Sequence, residues 1–329
     1  MAARPSALAK LTRPRLYDAL PRPRLFERLD AARERPIVWI TAPPGSGKST
    51  LVASYTEARQ LPYLWYQVDV GDSDPATCMH YMRQAAQALL GKRGGALPVF
   101  TSEPQQNLAR FARSFCRDLF AALPHGTLIV LDNFQEARSS AEQRAAFAAG
   151  LEELPEGVNV VVLSRTDPPQ EFARLGARRL IARIEVSDLR CTEDEALALL
   201  GGTSLDRDTV RRIQRQSDGW AAALVLLREH LSRPHATVEE SLGEGRDAIF
   251  EYFAGEIFTR AKPANQRALM VTAILPSITT AEAVELVGSE DVARLLEYLY
   301  RRHLFVDRRR GAQTTWHYHA LFREFLQEE

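Results

Sequence analysis

The stretch that decides the fold is Ala42–Ser49, which reads APPGSGKS and is followed by Thr50. It matches the phosphate-loop pattern G-x-x-x-x-G-K-[ST], with alanine in place of the first glycine. Gly45 and Gly47 let the backbone turn so that several N–H groups can face one anion. A helix that begins near Lys48 would point the positive end of its dipole at the same place. The stretch therefore predicts a site for nucleotide phosphates.

The residues of this loop have separate expected tasks. The ammonium of Lys48 would reach the β- and γ-phosphates, and the hydroxyl of Ser49 would ligate Mg²⁺. An ordinary glycine turn before a helix is the alternative interpretation. The apolar strand that leads in and the helical pattern that leads out weigh against it. We expect the other contacts of the loop to ATP or ADP to come from Pro43, Pro44, Gly45, Ser46, Gly47 and Thr50.

Apolar runs without polar alternation recur on both sides of the loop. They predict strands at 36–41, 62–68, 127–131, 158–163 and 179–186. Such runs are typical of strands that are buried on both faces of a parallel sheet, and the helical segments between them predict right-handed crossovers. We therefore predict an α/β fold. The 84 residues from Lys48 to Asp132 leave room for an additional strand between the two motifs, which is the arrangement of a P-loop NTPase parallel sheet of the AAA-like (ASCE) division, with strand order 5-1-4-3-2. A small helical domain and a winged-helix domain would follow it.

Asp132 supplies the expected second half of the site. It ends the apolar run LIVLD (128–132) and is the natural direct or second-shell partner of Mg²⁺ together with Ser49. Asn133 occupies the next position, where hydrolytic members of this class carry a second acid, and an amide cannot act as a base. Glu136 is the nearest acid that could substitute. We therefore expect nucleotide binding with at most slow ATP hydrolysis.

Arg165 follows the fourth predicted strand, at the edge where the carboxyl ends of parallel strands meet. A guanidinium there could sense the γ-phosphate, and we assign it with Lys48 and Asp132 to the candidate catalytic group. The alternative is a surface arginine, since arginines make up most of the cations of this chain.

Four segments divide the chain. The first is rich in Pro and Arg, and Pro21 and Pro23 exclude one continuous helix there. Thr192 and Glu195 form a capping-box pattern that opens a helical region. The stretch 232–246 contains Pro, Gly and Glu and is predicted to be a linker. The predicted divisions are an N-terminal arm (1–35), a P-loop nucleotide-binding domain (36–186), a helical domain (187–245) and a winged-helix domain (246–329).

The winged-helix prediction rests on the order of elements in the last segment. Three helices are expected at 264–275, 280–287 and 291–302, followed by a hairpin that pairs 304–308 with 314–319.

Composition excludes several classes of protein. The 329 residues suggest two or three domains, and the balance of 42 basic and 42 acidic residues gives no reason to expect a nucleic-acid binder over the whole chain. No apolar run reaches the roughly 20 residues of a membrane span, so no membrane partner is expected. The beginning of the chain does not resemble a secretion signal. Three scattered cysteines fit a reduced cytoplasm.

Beyond single motifs, an ordered series of segments resembles a known family: the ATPase modules of maltose-regulator (MalT) type, LuxR-family transcription activators. These belong to the signal-transduction ATPases with numerous domains (STAND). Alanine at the start of the phosphate loop is usual there. The segments that carry the resemblance are RPRLYDALPRPRLFERLD (13–30), APPGSGKST, WYQVDVGDSDP (65–75), LIVLDNFQEA (128–137), VVLSRTDPP (161–169), LRCTEDEALALL (189–200), SDGWAAALVLL (217–227), FAGEIFTRAKPANQRALMVTAIL (253–275) and HLFVDRRRGAQTTWHYHALFREFL (303–326).

The resemblance implies a nucleotide-controlled switch. The resting form would close around ADP, and an inducer, a small molecule or protein, would favour ATP binding and self-association. His319 matches the histidine with which the winged-helix domain touches the ADP phosphate, and Arg24 lies in the segment on the adenine side. We expect the inducer sensor and the C-terminal helix-turn-helix that contacts DNA to lie outside these 329 residues.

Two departures from the family pattern are visible. Relatives commonly have Asp-Asp where this chain has Asp132-Asn133, which again limits hydrolysis. The turn that is usually Gly-Trp-Pro or Gly-Leu-Pro reads Gly219-Trp220-Ala221.

Two other functions remain open from the residues. A free-standing P-loop kinase or ATPase would have a similar loop, although the last third of the chain offers no obvious lid or acceptor site. Direct DNA binding by the winged helix is conceivable because it contains Arg294, Arg301, Arg302 and Arg308–Arg310. Acidic residues interleave with these arginines: Glu290, Asp291, Glu297 and Asp307. A solvated face or a domain interface explains that pattern better.

Overall fold

The computed structural model describes residues 8–91, 97–99, 107–137, 140–201, 205–231, 238–275, 277–302, 304–310 and 314–329. The chain forms two compact units. The first extends to Ala42 and resumes over Lys48–Asp188, and the second contains Pro43–Gly47 and Leu189–Glu329. None of the described helices is long and apolar enough to cross a membrane.

The first unit is built around a sheet of five parallel strands, whose order confirms the predicted 5-1-4-3-2. Every residue of three central strands is buried, because helices cover both faces of the sheet. The strands are β1 (Ile37–Thr41), β2 (Tyr63–Gln67), β3 (Leu128–Asp132), β4 (Asn159–Ser164) and β5 (Ile181–Ile184).

Among the described residues up to Leu189 there are seven α-helices. Asp74 caps one of them by accepting hydrogen bonds from the N–H groups of its first turn, and Pro75 occupies the first helical position. The helical pattern of the sequence predicts a helix over 103–123. The helix observed there begins at Leu108, and residues 103–106 lie outside the described part. The helices are α1 (Pro23–Ala32), α2 (Lys48–Ala58), α3 (Pro75–Leu90), α4 (Leu108–Ala122), α5 (Ala141–Leu151), α6 (Ala173–Ala177) and α7 (Val186–Leu189).

Trp39 of β1 anchors the chain segments that follow β3 and β4. Its buried ring makes edge contacts with Phe134 and Phe172, with centroid distances of 5.2 and 5.3 Å. Its indole N–H donates to the carbonyl of Thr166 at 3.0 Å. One side chain of the core thereby fixes the loops on which two candidate site residues lie.

The N-terminal arm is attached to the first unit through polar contacts. The ammonium of Lys10 pairs with the carboxylates of Asp69 (2.7 Å) and Asp72 (2.8 Å), and Asp72 also accepts a hydrogen bond from the hydroxyl of Tyr66. The side chain of Asp72 is 1% exposed. A buried carboxylate of this kind needs the opposite charge that the arm supplies.

The described residues of the second unit form eight α-helices and a three-stranded antiparallel sheet. The predicted capping box of Thr192 and Glu195 is present. The sheet order β6-β8-β7 and the three helices before the hairpin confirm the winged-helix fold, while the tip at 311–313 lies outside the described part. The elements are α8 (Glu193–Leu199), α9 (Arg207–Gln216), α10 (Ala221–Leu231), α11 (Val238–Phe253), α12 (Pro263–Thr272), β6 (Ile278–Thr279), α13 (Thr280–Val287), α14 (Asp291–Arg301), β7 (Val306–Arg310), β8 (Thr314–Tyr318) and α15 (Ala320–Glu328).

The linker predicted at 232–246 is wrong over its described part, because α11 begins at Val238. The proposed domain boundary at 245/246 falls inside this helix. Gly245, within the predicted linker, lies where α11 packs on α10. A Cβ atom on Gly245 would lie 2.6 Å from Cδ2 and 3.3 Å from Cα of Leu227. The glycine is therefore a close-packing residue of a helix pair.

Two glycines of α11 provide a test of this packing. We expect Gly245→Ala to lower the free energy of unfolding by about 1 kcal/mol, because Leu227 must move to make room. Gly243→Ala should raise it by about 0.5–1 kcal/mol, since a Cβ there meets open space and alanine favours the helix. Urea unfolding of both variants measures the difference. Equal stabilisation by both substitutions would contradict the packing role.

Candidate functional site

Three residues predicted for the site meet at the carboxyl edge of the first unit's sheet. Lys48 begins α2, and its ammonium donates to the carbonyl of Ala42 at 2.8 Å. The hydroxyl of Ser49 donates to Oδ1 of Asp132 at 2.9 Å. Asp132 is the last residue of β3. The sequence reasoning that paired this serine with this carboxylate is thus matched by their direct contact.

Arg165 follows β4 directly, and its backbone is held in place. The backbone N–H of Arg165 donates to Oε1 of Gln135 at 3.0 Å, and Nε2 of the same amide donates to Glu136 at 3.1 Å. The side chain of Arg165 acts electrostatically on Lys48. Gln135 was not singled out from the sequence. Only its closeness to Asp132 along the chain could have indicated a role.

Lys48 and Asp132 are both largely removed from water, which disfavours the charged form of each side chain. Burial, and secondly the positive charge of Arg165, lower the pKa of Lys48 to about 7, although the negative charge of Asp132 opposes the shift. Burial also raises the pKa of Asp132, against the hydrogen bond from Ser49. Lys48 and Arg165 are both partly buried cations that repel each other, so an anion such as phosphate would be stabilised between them.

The loop Pro43–Gly47 belongs to the second unit, where the turn before α10 holds it. The indole N–H of Trp220 donates to the carbonyl of Pro44 at 3.1 Å, and the N–H of Ala222 donates to the carbonyl of Gly45 at 3.0 Å. Gly45 has a φ of 73°, and a Cβ there would lie 2.7–2.8 Å from Ala222 and Trp220. Only glycine fits this position, for both conformational and steric reasons.

Trp220 in turn belongs to an aromatic cluster of the second unit. It stacks on Phe253 at 5.2 Å with an interplanar angle of 11°, and its ring meets that of Phe305 edge to face at 4.9 Å. By resemblance to the family, Trp220 belongs to the turn that faces the nucleotide, but the motif does not indicate that its indole bonds to Pro44. The only local signal for this position is the turn that precedes Trp220, in which Asp218 and Gly219 both have positive φ.

His319 lies in the same unit, before α15. Its Nε2 is 3.2 Å from the carbonyl of Ser217, so Nε2 carries the hydrogen if this bond forms. Nδ1 is buried and has no hydrogen-bond partner among the described residues. Burial lowers the pKa of His319, although the carboxylate of Asp218 opposes the shift. The ring is therefore neutral near pH 7.

The remaining predicted residues have the following positions. Arg24 lies in the first turn of α1, and Nη1 donates to the carbonyl of Asp188 at 2.9 Å. Asn133 has a φ of 57° and precedes the short 3-10 helix Phe134–Glu136. Ser46 is buried and Thr50 is exposed.

The residues present fit a magnesium-bound nucleotide. Mg²⁺ takes one or two protein oxygens together with phosphate oxygens and waters, and Ser49 and Asp132 offer a hydroxyl and a carboxylate side by side. No group of three or more His, Cys, Asp or Glu residues that could form an all-protein metal site occurs in the described ranges. The oxygen pair therefore suits a metal that comes with its nucleotide.

Removal of the buried Lys48 charge should stabilise the free protein. Between pH 7 and 10.5 this lysine is protonated in the unfolded chain and largely neutral in the folded one. The free energy of unfolding therefore rises with pH in that window. Below pH 7 the folded protein bears the full cost of keeping the charged lysine out of water. We expect Lys48→Met to raise the free energy of unfolding by about 1–4 kcal/mol at pH 6.5 and to flatten this rise. Urea unfolding from pH 6.5 to 10 measures both effects.

The matched control is Lys262→Met, which removes an exposed lysine. It should leave the free energy of unfolding within about 0.5 kcal/mol at each pH. Destabilisation of the protein by Lys48→Met at pH 6.5 would show that the lysine is held favourably.

Comparison with known proteins matches both parts of the chain to families. The AAA ATPase domain matches residues 22–163, and the MalT winged helix domain matches residues 254–329. The HTH-type transcriptional regulators MalT of Vibrio campbellii and Vibrio cholerae are 27% and 28% identical over 330 residues. The alignments cover 98% and 97% of this chain and 36% of each relative, so the chain spans about a third of their length.

A solved structure supports the fold. A Walker-type ATPase of Pyrococcus abyssi aligns with a TM-score of 0.64 at 13% sequence identity, over 92% of this chain and 94% of that one. Along the sequence an AAA ATPase domain is matched first and a MalT winged helix domain second, and over nearly its whole length the chain is similar to transcriptional regulators of the MalT type.

Proposed function

We propose that this chain is the ATP/ADP-binding switch module of a bacterial transcription activator of the cytoplasm. In its resting form it closes around ADP, and ATP with an inducer opens it for self-association. The observation that carries the proposal is the contact of Ser49 with Asp132 at 2.9 Å beside the buried Lys48, in a chain that also has a MalT winged helix domain. Such a switch acts by differential affinity of the nucleotide for two states.

The nucleotide would be held mainly through its phosphates. An anion between Lys48 and Arg165 offsets their mutual repulsion and restores the charged form of the lysine. Arg165 is suited to sense the γ-phosphate, and its backbone bond to Gln135 keeps it at the sheet edge. The backbone of Pro43–Gly47 and the first turn of α2 would supply N–H donors. Arg24 and His319 are proposed nucleotide contacts on the basis of family resemblance.

Magnesium would bind between the protein and the nucleotide. Ser49 and Asp132 would hold it through their oxygens, and the ion would neutralise charge on the β- and γ-phosphates. Burial keeps the carboxylate of Asp132 partly out of water, so the arrival of a cation there is electrostatically favoured.

Hydrolysis should be slow at most. Asn133 stands where a water-polarising acid is expected, and its left-handed backbone belongs to the turn that starts the 3-10 helix. The carboxylate of Glu136 already accepts a hydrogen bond from Gln135. Slow hydrolysis suits a switch, because the ATP-bound state would then last longer than one catalytic turnover of an ordinary ATPase.

The winged helix is proposed to serve as a regulatory domain, with DNA contacted by a further helix-turn-helix. Three of the arginines considered for DNA contact are engaged with neighbouring acids: Arg294 pairs with Asp291, and Glu297 pairs with both Arg301 (2.7 Å) and Arg308 (2.6 Å). Paired charges of this kind leave little net positive potential for a phosphate backbone. The inducer and the DNA are therefore assigned to other parts of such a regulator.

The nucleotide that the purified protein releases on denaturation tests the proposal most directly. We expect retained ADP, because the resting form binds ADP in a closed state. Lys48→Met should contain none and should bind neither ADP nor ATP in calorimetric titration, since the phosphate countercharge is lost. Lys262→Met should behave like the unchanged protein. A protein that binds neither nucleotide, or that transfers phosphate to nucleoside monophosphates, would refute the switch.

His319 should discriminate between the two nucleotides. In the neutral ring Nε2–H faces the carbonyl of Ser217, so Nδ1 can only accept a hydrogen bond. The ring must therefore be protonated before Nδ1 can donate a hydrogen bond to a phosphate oxygen. We therefore expect the ratio of ADP to ATP affinity to increase as the pH falls from 8 to 6. His319→Ala should weaken ADP binding more than ATP binding and abolish this pH dependence.

The matched control is His317→Ala, two residues away on β8. It should leave the affinity ratio and its pH dependence unchanged. Equal weakening of ADP and ATP by His319→Ala would remove this histidine from the switch.

A further inference from the structure

The described residues of the first unit line a partly open cavity of about 120 Å³. One face of the sheet forms its floor, with Tyr66 beside Leu131 and Ile129 beside Val160 in the strand register. These four side chains are at most 3% exposed. The cavity therefore lies in the domain interior, beneath the helices.

Three helices form the other walls. Met82 comes from α3, Phe115 and Leu119 come from α4, and Ala146 comes from α5. All four are buried. The aromatic rings and the flexible thioether give the cavity an apolar lining that can adapt to the shape of an occupant.

A cavity of this size is unusual in a domain core. Protein interiors are close-packed, and voids larger than a water molecule are few. Unfilled apolar volume lowers stability in proportion to its size. Water does not compensate here, because a buried water needs two to four polar partners. An apolar cavity of about 150 Å³ in another protein takes up benzene.

The charged groups at the rim are already neutralised by other residues. Asp72 and Arg144 are the two charged residues of the described lining. The carboxylate of Asp72 pairs with Lys10, and the guanidinium of Arg144 pairs with Glu171 at 2.8 Å. A charged ligand would find no free opposite charge there, so the lining favours a neutral one.

Two thiols also line the cavity, Cys78 and Cys116. Burial raises the pKa of each to about 12. A thiol that stays protonated is a weak nucleophile, so the cavity suits reversible binding and not covalent capture.

The cavity walls include residues on both sides of Asp132, the candidate magnesium ligand. Leu131 directly precedes Asp132 in β3, and Phe134 follows it by two positions; both line the cavity. An occupant would therefore touch the chain on both sides of Asp132. Displacement of either side chain would change the position of the carboxylate that contacts Ser49.

We propose that this cavity is an effector site for a neutral, apolar small molecule about the size of benzene. The occupant binds in the core of the nucleotide-binding domain and alters nucleotide affinity through β3. The effect on nucleotide affinity rests on the proposed nucleotide-binding function, whereas binding of the molecule in the cavity does not.

The probe is benzene, added to the purified 329-residue protein without nucleotide. We expect saturating benzene to raise Tm by about 2 °C or more. Ala146→Leu should fill the cavity and abolish this shift. Ala145→Leu makes the same substitution at an exposed position of the same helix and should retain it. If Ala146→Leu fails to fold, Cys116→Leu on α4 serves the same purpose.

Two outcomes would overturn the binding site: no Tm shift in the unchanged protein, or the same shift in the filled and unfilled variants. The effector role is tested by titrating ADP with and without benzene, and a change of at least threefold in Kd is expected only where the cavity is unfilled. An unchanged Kd would refute the effector role. A benzene shift in a protein that binds no nucleotide would refute the proposed function and leave the cavity site standing.

Discussion

The parallel pairing of β1, β3 and β4 is the constraint on which the site depends. In a parallel sheet all strands end at the same edge, so residues that follow different strands are brought to one place. Thr41 pairs in register with Ser164, and Leu131 pairs with Val162. This register puts the start of α2, Asp132 and Arg165 at one edge. The buried residues of these strands keep the register, since a slip would move apolar side chains out of the core.

The sheet holds its polar residues at a cost to stability. The lowered pKa of Lys48 and the raised pKa of Asp132 have the same first cause, which is removal from water. Neighbouring groups only partly compensate. A triphosphate with its metal carries the complementary charges, so the same features that weaken the free protein would strengthen binding. Shifted pKa values that cluster at one sheet edge are typical of functional sites.

Local patterns predicted much of this molecule. The apolar runs gave the strands within one or two residues, and the capping box of Thr192 and Glu195 formed as expected. The prediction failed at 238–246, where composition favoured a linker and the structure has a helix. Gly245 explains the error. Glycine is typical of flexible segments, but it is also selected where two helices approach closely, and only the neighbouring Leu227 distinguishes the two cases.

The sequence by itself determined the class of fold, the strand order, the phosphate loop and the pairing of Ser49 with Asp132, because these follow from short-range periodicity and from motifs with a fixed geometry. The tertiary structure decided the contacts between residues that are distant in sequence. Trp220 donates to Pro44 across 176 positions, and Arg165 is held by Gln135 across 30. It also decided which ionisable groups are desolvated and where the core leaves a cavity. Burial and packing are properties of the assembled chain, and no local pattern specifies them.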